Sequence, residues 1–331
     1  MASRSWNGRR HAVVPLAMLL GLVPACAPGS SEPPPEKYLS GTVQIGVNTD
    51  IPGWSLYSNG VWDGFDIKLG NWLGTEIGFR PQYTPLTDDE RMIKLKETTE
   101  AEQSNGNGPG IKLVMANFSI TDERRQDVDF AGPYFIDSQG VLVGAGSDIT
   151  KVEDIRNKII CTSRGSTTET RLFDMDIQPA PENTLQKCVE RLLDGEVDAV
   201  STDRVILESF AARHPGRLRL VPGIRVGSER YGIGFPDNRP RLCTFLTSSI
   251  TKFINEEWDQ KLKDALPGVP PEDRKPNSDA LDPCEPSDQE QAAAPANGLN
   301  DRRITVPTSI ARRTRAAARE GQRQSNRRRQ R

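Results

Sequence analysis

The feature that most constrains the fold of this 331-residue sequence is an alternation of short apolar strands with amphipathic helices, which occurs twice. Apolar residues alternate in 42–48, as in a strand with one buried face, and recur at helical spacing in 64–77. The pattern starts again after about residue 140, where 158–161 predicts a strand and 167–173 the start of a helix. Strands that alternate with helices predict an α/β fold with mostly parallel sheets.

The remaining elements follow from the same patterns. Further strands are predicted at 79–83, 111–116, 141–144, 197–201 and 231–235, and further helices at 91–96, 184–194, 203–212, 243–256 and 258–265. The polar segment EQSNGNGPG at 102–110 has no residues suited to a core and predicts a loop.

The N-terminus predicts an export signal over residues 1–25. Three arginines lie among the first ten residues, and the apolar stretch 12–25 is too short to span a bilayer. It ends at Val-Pro-Ala-Cys26, which resembles the acylation site of bacterial lipoproteins and predicts a lipid on Cys26. Ordinary signal cleavage near Ala25 or Ala27 is the alternative.

Both ends of the remaining chain have compositions that do not support a core. Residues 26–40, rich in Pro, Ser and Gly, predict a flexible tether, and residues 286–331 predict a disordered tail. Within this tail, 297–331 contains eleven Arg against Asp301 and Glu320, a charge of +9, which leaves −11 for the rest of the chain. For an exported protein we expect a solvated tail that binds anionic envelope surface or has no partner, and no nucleic-acid partner; a nucleic-acid role is the alternative.

Cysteine use agrees with export. If Cys26 carries lipid, four cysteines remain, and an even number in an exported chain predicts two disulfides among Cys161, Cys188, Cys243 and Cys284. Three pairings are possible, of which pairing neighbours keeps each bridge within one stretch of chain. None has the CxxC spacing of a metal or redox site, and we predict no metal or cofactor.

Four segments resemble the bacterial extracellular solute-binding proteins of family 3, the amino-acid receptors of ABC importers. They are VNTDIPGWSLY…GVWDGFDIKLGNWLGTEIG (47–78), ANFSITDERRQDVDFAGPYF (116–135), CTSRGSTTETRL (161–172) and LLDGEVDAVSTDRVIL (192–207). They occur in the family's order, and the resemblance covers about 41–267. Within the family, the chain is most similar to glutamate- and polar-amino-acid-binding lipoproteins.

The resemblance implies a periplasmic-binding-protein-like type II fold, in which two α/β lobes are joined by two crossing strands and enclose a ligand cleft. Lobe 1 would comprise 41–139 and 230–267, lobe 2 would comprise 140–229, and 268–285 would be a disulfide-bearing extension. The implied protein is a monomer anchored on the extracytoplasmic face of the cell membrane. It would capture a polar amino acid by lobe closure and deliver it to an ABC permease, with glutamate the first choice and glutamine, aspartate or asparagine next.

In the first lobe, the resemblance implies that Arg124 binds the ligand carboxylate. Its planar guanidinium can make two parallel charge-assisted bonds, to which Ser119 and Thr121 could add a hydroxyl and backbone N–H groups. Asp203, at the carboxyl end of a predicted strand, would accept the α-ammonium, because α/β folds bind ligands at that edge. The alternatives are a solvated Arg124 and an Asp203 that caps the following helix.

Residues of two loops complete the implied site. Gly165, Ser166 and Thr167 precede a helix, whose free N–H groups would favour the carboxylate; a plain helix cap is the alternative. The remaining implied ligand residues are Asp50, Trp54 and Arg164. Trp54 is expected against the ligand's aliphatic part or on the lobe surface, and Arg164 would favour a side-chain carboxylate unless it points to solvent.

The sequence does not predict an enzyme. His214 is the one histidine outside the predicted export signal, it lies at a predicted helix end, and the chain has no HExxH, GxSxG or P-loop motif. A dehydratase-like enzyme or a ligand sensor on the same fold is the alternative, although a sensor would need a membrane helix and a signalling domain.

Overall fold

A computed structural model describes residues 32–104, 110–271 and 273–285. Its strands are β1 (Gly41–Val47), β2 (Asp50–Ile51), β3 (Ser55–Ser58), β4 (Val61–Asp63), β5 (Phe79–Pro85), β6 (Leu113–Val114), β7 (Val128–Gly144), β8 (Ile160–Ser163), β9 (Ala180–Glu182), β10 (Ala199–Asp203), β11 (Leu218–Leu220) and β12 (Val226–Pro236). Its α-helices are α1 (Pro35–Tyr38), α2 (Phe65–Ile77), α3 (Glu90–Gln103), α4 (Thr167–Asp174), α5 (Leu185–Leu193), α6 (Arg204–Arg213), α7 (Pro240–Glu256) and α8 (Trp258–Ala265). Short 3-10 helices occur at Arg124–Gln126, Val152–Ile155 and Ser278–Ala280.

The large sheet contains two groups of parallel strands. Its order is β5-β1-β6-β12-β7-β10-β8-β9, with β11 paired to β7, and β2-β3-β4 form a separate small sheet. β1 pairs in parallel with β5 and β6, and β8 pairs in parallel with β10 and β9. We call β1, β5 and β6 with α2, α3, α7 and α8 the first lobe, and β8 to β11 with α4 to α6 the second lobe.

Two long antiparallel strands connect the lobes. β7 pairs with β12 from Val128 to Gln139 and with β10 from Gln139 to Val143, so one continuous strand serves both lobes. The pairing of β7 with β12 has register shifts, one of them opposite Gly132–Pro133. The predicted strand at 141–144 is therefore the end of a 17-residue strand. Gly-Pro is typical of a strand break, but here it lies at an irregularity of the pairing, where the missing N–H is tolerated.

An aromatic cluster forms the centre of the first lobe. The Trp54 ring contacts the edges or faces of Phe65, Phe135 and Tyr231 at centroid distances of 5.5, 4.7 and 5.3 Å, and Phe135 stacks on Trp258. All five side chains are fully buried. Burial of this much aromatic surface stabilises the lobe that carries the crossing strands.

The disulfides join neighbours in sequence. Cys161–Cys188 ties β8 to α5, and Cys243–Cys284 ties α7 to the C-terminal extension. Of the three pairings that the sequence allowed, this is the one that keeps each bridge within one stretch of chain.

Two local predictions need correction. Helix α3 continues to Gln103, well beyond the predicted 91–96, and takes in the start of the predicted loop. Residues 97–103, its second half, include three Glu with one Ala and one Gln, good helix formers that extend the helix without an apolar stripe. Residues 32–40, assigned to the tether, contact the body: Tyr38 is buried, and the Glu32 carboxylate accepts the N–H groups of Arg241 and Leu242 at 3.0 and 2.8 Å.

None of the described helices is long and apolar enough to cross a membrane. The predicted export signal, the lipidation site Cys26 and the Arg-rich tail lie outside the described residues.

Candidate functional site

A narrow cleft lies between the two lobes. At its centre is a cavity of about 20 Å³, whose walls include Arg91, Asn117, Ser119, Ser166, Thr167 and Asp203. A cavity of about 100 Å³ shares Ile51 and Asp88 with it on one side, and one of about 670 Å³ shares Ser166 and Thr167 on the other. Because the central space holds about one water, a larger ligand can enter only when the lobes move apart.

Arg124 bridges the cleft at the edge of this cavity. Its guanidinium donates to the carbonyl oxygens of Ser119, at 2.7 Å, and Gly165 in the second lobe, at 3.2 Å. It lies over the Phe118 ring at 4.8 Å, while the Thr121 hydroxyl accepts the Arg124 N–H at 3.2 Å. Burial, with the nearby cation of Arg91 as a second cause, lowers the pKa of Arg124 to about 9. The side chain is thus a positioned cation at neutral pH, and not a freely solvated one.

Asp203 lies opposite, at the end of β10. It occupies the N-cap position of α6, yet its side chain makes no capping bond. Instead, the Asp137 carboxylate on β7 accepts the Val205 N–H at 2.7 Å and caps the helix. Tyr231 donates its hydroxyl to Asp203 Oδ2, and the buried Oδ1 has no hydrogen-bond partner within the described part of the chain. The capping alternative for Asp203 is therefore wrong.

The charge environment of Asp203 favours a cation beside it. Burial raises the pKa of Asp203 well above its usual value, and the carboxylates of Glu229 and Asp137 raise it further. A positively charged group near Oδ1 would relieve both effects and stabilise the ionised carboxylate.

The start of α4 forms the wall of the second lobe. The Ser166 hydroxyl accepts the Glu169 N–H at 3.1 Å, so the plain cap expected as an alternative is present. The Thr167 hydroxyl donates to Glu229 at 3.0 Å. Gly165 has φ 74°, and a Cβ there would lie 2.7 Å from the Cα of Asp89 in the first lobe, so only glycine permits this close approach.

An ion pair between the partly exposed Arg171 and a buried carboxylate links this helix to the crossing strands. Arg171 on α4 donates to Glu229 at 2.7 Å and to Gln139 at 2.9 Å. Glu229 on β12 is 1 % exposed, and Gln139 lies on β7. The position of α4 is thereby coupled to the strands about which the lobes would move.

Arg91 and Asn117 also line the central cavity, and the sequence did not indicate either of them. Arg91 is 3 % exposed and donates to the carbonyls of Ala116 and Asn117 at 2.7 and 3.3 Å, and it pairs with the Asp88 carboxylate at 3.3 Å. The sequence contained only a weak indication of this position. Arg91 is four residues before Leu95, a spacing that predicts a buried helix face but not a cavity wall.

Asp50 makes a hydrogen bond to the second lobe, a contact that we call the clasp. Its Oδ2 accepts the Gln186 N–H at 2.9 Å, at the start of α5, and the residue lines the cavity of about 100 Å³. Burial raises the pKa of Asp50, whereas the bond from Gln186 lowers it.

Trp54 and Arg164 do not lie on the walls of these three cavities. Trp54 is fully buried in the aromatic cluster because the turn between β2 and β3 directs it into the lobe, so neither expected position is correct. Arg164 is exposed and donates to the Pro181 carbonyl at 3.4 Å, beside β9. The expected preference for a side-chain carboxylate therefore loses its support.

Within the described ranges, no three His, Cys, Asp or Glu side chains are grouped to hold a metal ion. The cleft instead places a cation, Arg124, and an anion, Asp203, on opposite sides of a space between the lobes.

The family model for bacterial extracellular solute-binding proteins, family 3, matches residues 43–266.

The chain belongs to this family. Among its solute-binding relatives, the glutamate-binding protein GluB of Corynebacterium glutamicum is 30 % identical over 67 % of this chain and 77 % of its own. The glutamine-binding protein of Geobacillus stearothermophilus is 29 % identical over 63 % of this chain and 78 % of its own.

A solved structure supports the solute-binding fold. The solute receptor for L-cysteine of Neisseria gonorrhoeae aligns with a TM-score of 0.65 at 19 % identity, covering 73 % of this chain and 98 % of that one. The predicted type II fold, with two α/β lobes joined by two crossing strands, is confirmed.

Proposed function

We propose that this chain is the extracytoplasmic substrate-binding component of an ABC importer, and that it captures a polar amino acid between its lobes. The observation that carries the proposal is the pairing of a positioned cation, Arg124, with a buried carboxylate, Asp203, whose Oδ1 accepts no bond from the described residues. The relatives are named for binding amino acids rather than for catalysis, which supports a binding protein over an enzyme.

The binding mode follows from the two charges. The ligand's α-carboxylate would bind Arg124, close to the N-terminus of α4, and its α-ammonium would bind Asp203 Oδ1. Ser119 and Thr167 line the same cavity and could complete the hydrogen bonds. Arg124 and Asp203 belong to different lobes, so both charges of the zwitterion would be bound only in the closed state.

Closure would also strengthen each contact. In this conformation Arg124 reaches Gly165, and Asp50 reaches Gln186, across the cleft. Exclusion of water lowers the local dielectric, so the same ion pairs stabilise the complex more than they would on a surface. The closed pair of lobes would be the form that the membrane permease recognises.

The lipid anchor on Cys26 belongs to the same proposal. The Glu32 carboxylate accepts hydrogen bonds from the start of α7, and five residues lie between Cys26 and Glu32. Fully extended, this link spans roughly 20 Å. The anchored protein would therefore stay close to the membrane surface, next to the permease.

Titration calorimetry of the full-length chain in detergent, freed of carried-over ligand by unfolding and refolding, tests the proposal. We expect at least one polar amino acid to bind, and Asp203→Asn to weaken that binding at least 30-fold, because truncating a buried charge pair costs about 2 kcal/mol or more. Asp148→Asn, at an exposed ion pair with Lys158, is the matched control and should bind normally. Unchanged affinity in Asp203→Asn would contradict the assigned site.

A further inference from the structure

The side chain of Asn117 has an unusual position on the wall of the central cavity. The residue is 6 % exposed, and neither its amide nitrogen nor its amide oxygen has a hydrogen-bond partner among the residues that the structure describes. Asn117 lines the same cavity as Asp203, whose Oδ1 is also buried and unpartnered. Buried polar groups are nearly always satisfied, so these three unpartnered atoms on one cavity wall point to a ligand.

The backbone holds this amide in place. Asn117 has φ 48°, a left-handed conformation that asparagine tolerates better than most residues. Its N–H donates to the buried Asp66 carboxylate at 3.2 Å, and its carbonyl accepts from Arg91 at 3.3 Å. These contacts fix the backbone of Asn117 on the cavity wall, so the amide is attached to a rigid support.

The amide is complementary to another primary amide. It offers one acceptor and two N–H donors, and a ligand carboxamide can accept from the nitrogen and donate to the oxygen at the same time. A carboxylate can accept only, which would leave the oxygen of Asn117 unpaired and facing a second negative oxygen.

The surrounding charges argue in the same direction. Arg91 is paired with Asp88, and Arg171 is paired with Glu229. Arg124 would be occupied by the α-carboxylate of the ligand. A side-chain carboxylate would therefore enter without a free cation among the described residues of the cavity wall, and an unpaired buried charge is costly.

We propose that Asn117 selects amino acids with a neutral primary carboxamide, glutamine or asparagine, over their acidic counterparts. This inference rests on the proposed function, since it specifies the ligand of the same cleft. It differs from the first choice of glutamate, which rested on the resemblance to glutamate-binding lipoproteins and on Arg164; of these, Arg164 lies on the surface.

The test is a set of calorimetric titrations of the full-length chain at pH 7 with glutamine, asparagine, glutamate and aspartate. We expect one of the two amides to bind at least tenfold more tightly than its acid, as expected when two hydrogen bonds are lost. Asn117→Gly, which keeps the left-handed backbone, should lower affinity for the amide at least tenfold and reduce the amide-to-acid ratio towards one.

The control is Asn59→Gly, the same substitution at φ 52° in an exposed turn, which should leave all affinities unchanged. An acid that binds the unmodified protein as tightly as its amide would overturn the inference while leaving the proposed function intact, and this comparison does not depend on the variant folding. Equal losses for amide and acid in Asn117→Gly would also overturn it. If none of the twenty amino acids binds, the proposed function itself fails.

Discussion

Two carboxylates lie near the start of α6, and the one that caps the helix is not the one at the N-cap position. Asp203 stands where a helix cap is expected, but Asp137, 66 positions earlier in the chain, accepts the Val205 N–H. Caps are normally read from the residue that begins the helix, so this exchange cannot be found in a local pattern. Its consequence is an Asp203 oxygen that is available to a ligand.

Asp66, which supports Asn117, gives a pH-dependent prediction. Burial raises its pKa to about 7, although bonds from Tyr134 and Asn117 lower it. In the unfolded chain, the pKa of an aspartate is about 3.9. Between about pH 4 and pH 7 the folded protein therefore keeps a proton that the unfolded chain has released. Because the folded state binds the extra proton, the free energy of unfolding falls as pH rises through this range. Asp66→Asn should remove that contribution, about 1.4 kcal/mol per pH unit.

Urea unfolding of both proteins at pH 5, 6 and 7 measures the effect. Asp129 and Asp137, whose pKa values are also raised, change both proteins alike, so the difference between the two curves isolates Asp66. The exposed substitution Asp122→Asn should follow the unmodified protein. Parallel pH profiles for Asp66→Asn and the unmodified protein would show that Asp66 is not protonated in the fold.

At the scale of secondary-structure elements, regular apolar patterns predicted most of the fold. The alternating apolar residues of β1 and the helical spacing of α2 gave nearly the observed bounds, and α8 begins and ends as expected. The long strand β7 was predicted only in part, because Gly132-Pro133 has the composition of a break. Its partner β12, far away in sequence, is what keeps it extended.

Cavity residues that belong to a sequence motif in a loop could be predicted. Residues that reach the cavity only through tertiary packing could not. Ser119, Ser166, Thr167 and Asp203 do line the central cavity, and Arg124 adjoins it. The amide of Asn117 becomes a candidate only when both its atoms are seen to be buried without partners. No pattern along one chain segment contains that information.

The clasp between Asp50 and helix α5 gives a prediction at this scale. Asp50→Ala removes the acceptor of the Gln186 N–H and should destabilise the closed state. A hydrogen bond to a charged group contributes about 1.5–3 kcal/mol, so we expect affinity for every ligand to fall by about tenfold or more. Because the clasp does not touch the central cavity's Asn117, selectivity should stay constant.

Calorimetry with the preferred ligand and its acidic or amide counterpart measures both quantities. Asp63→Ala, in the exposed β4 hairpin where the carboxylate pairs with Lys68, is the control and should bind as the unmodified protein does. A changed amide-to-acid ratio in Asp50→Ala would contradict a role confined to closure.

At the scale of the whole molecule, the C-terminal extension braces the junction of the lobes. Arg274 is 5 % exposed, donates to Glu208 on α6 at 2.9 Å, and its carbonyl accepts the Ile136 N–H of β7 at 2.9 Å. Asp282 pairs with Arg125 at 2.9 Å and also with Arg230 on β12. The Cys243–Cys284 bridge fixes the end of this segment to α7, so the extension would stay attached to both crossing strands if the lobes moved.

The central claim is that an amino acid binds between the lobes, and a thermal-unfolding screen of the full-length chain against the twenty L-amino acids tests it most directly. A ligand at 100 times its dissociation constant should add about 2.7 kcal/mol to the free energy of unfolding, which appears as a clear rise in Tm. We predict such a rise with a polar amino acid, largest with one that carries a carboxamide, and its loss in Asp203→Asn. An unchanged Tm with all twenty, in a folded sample free of carried-over ligand, would contradict the account.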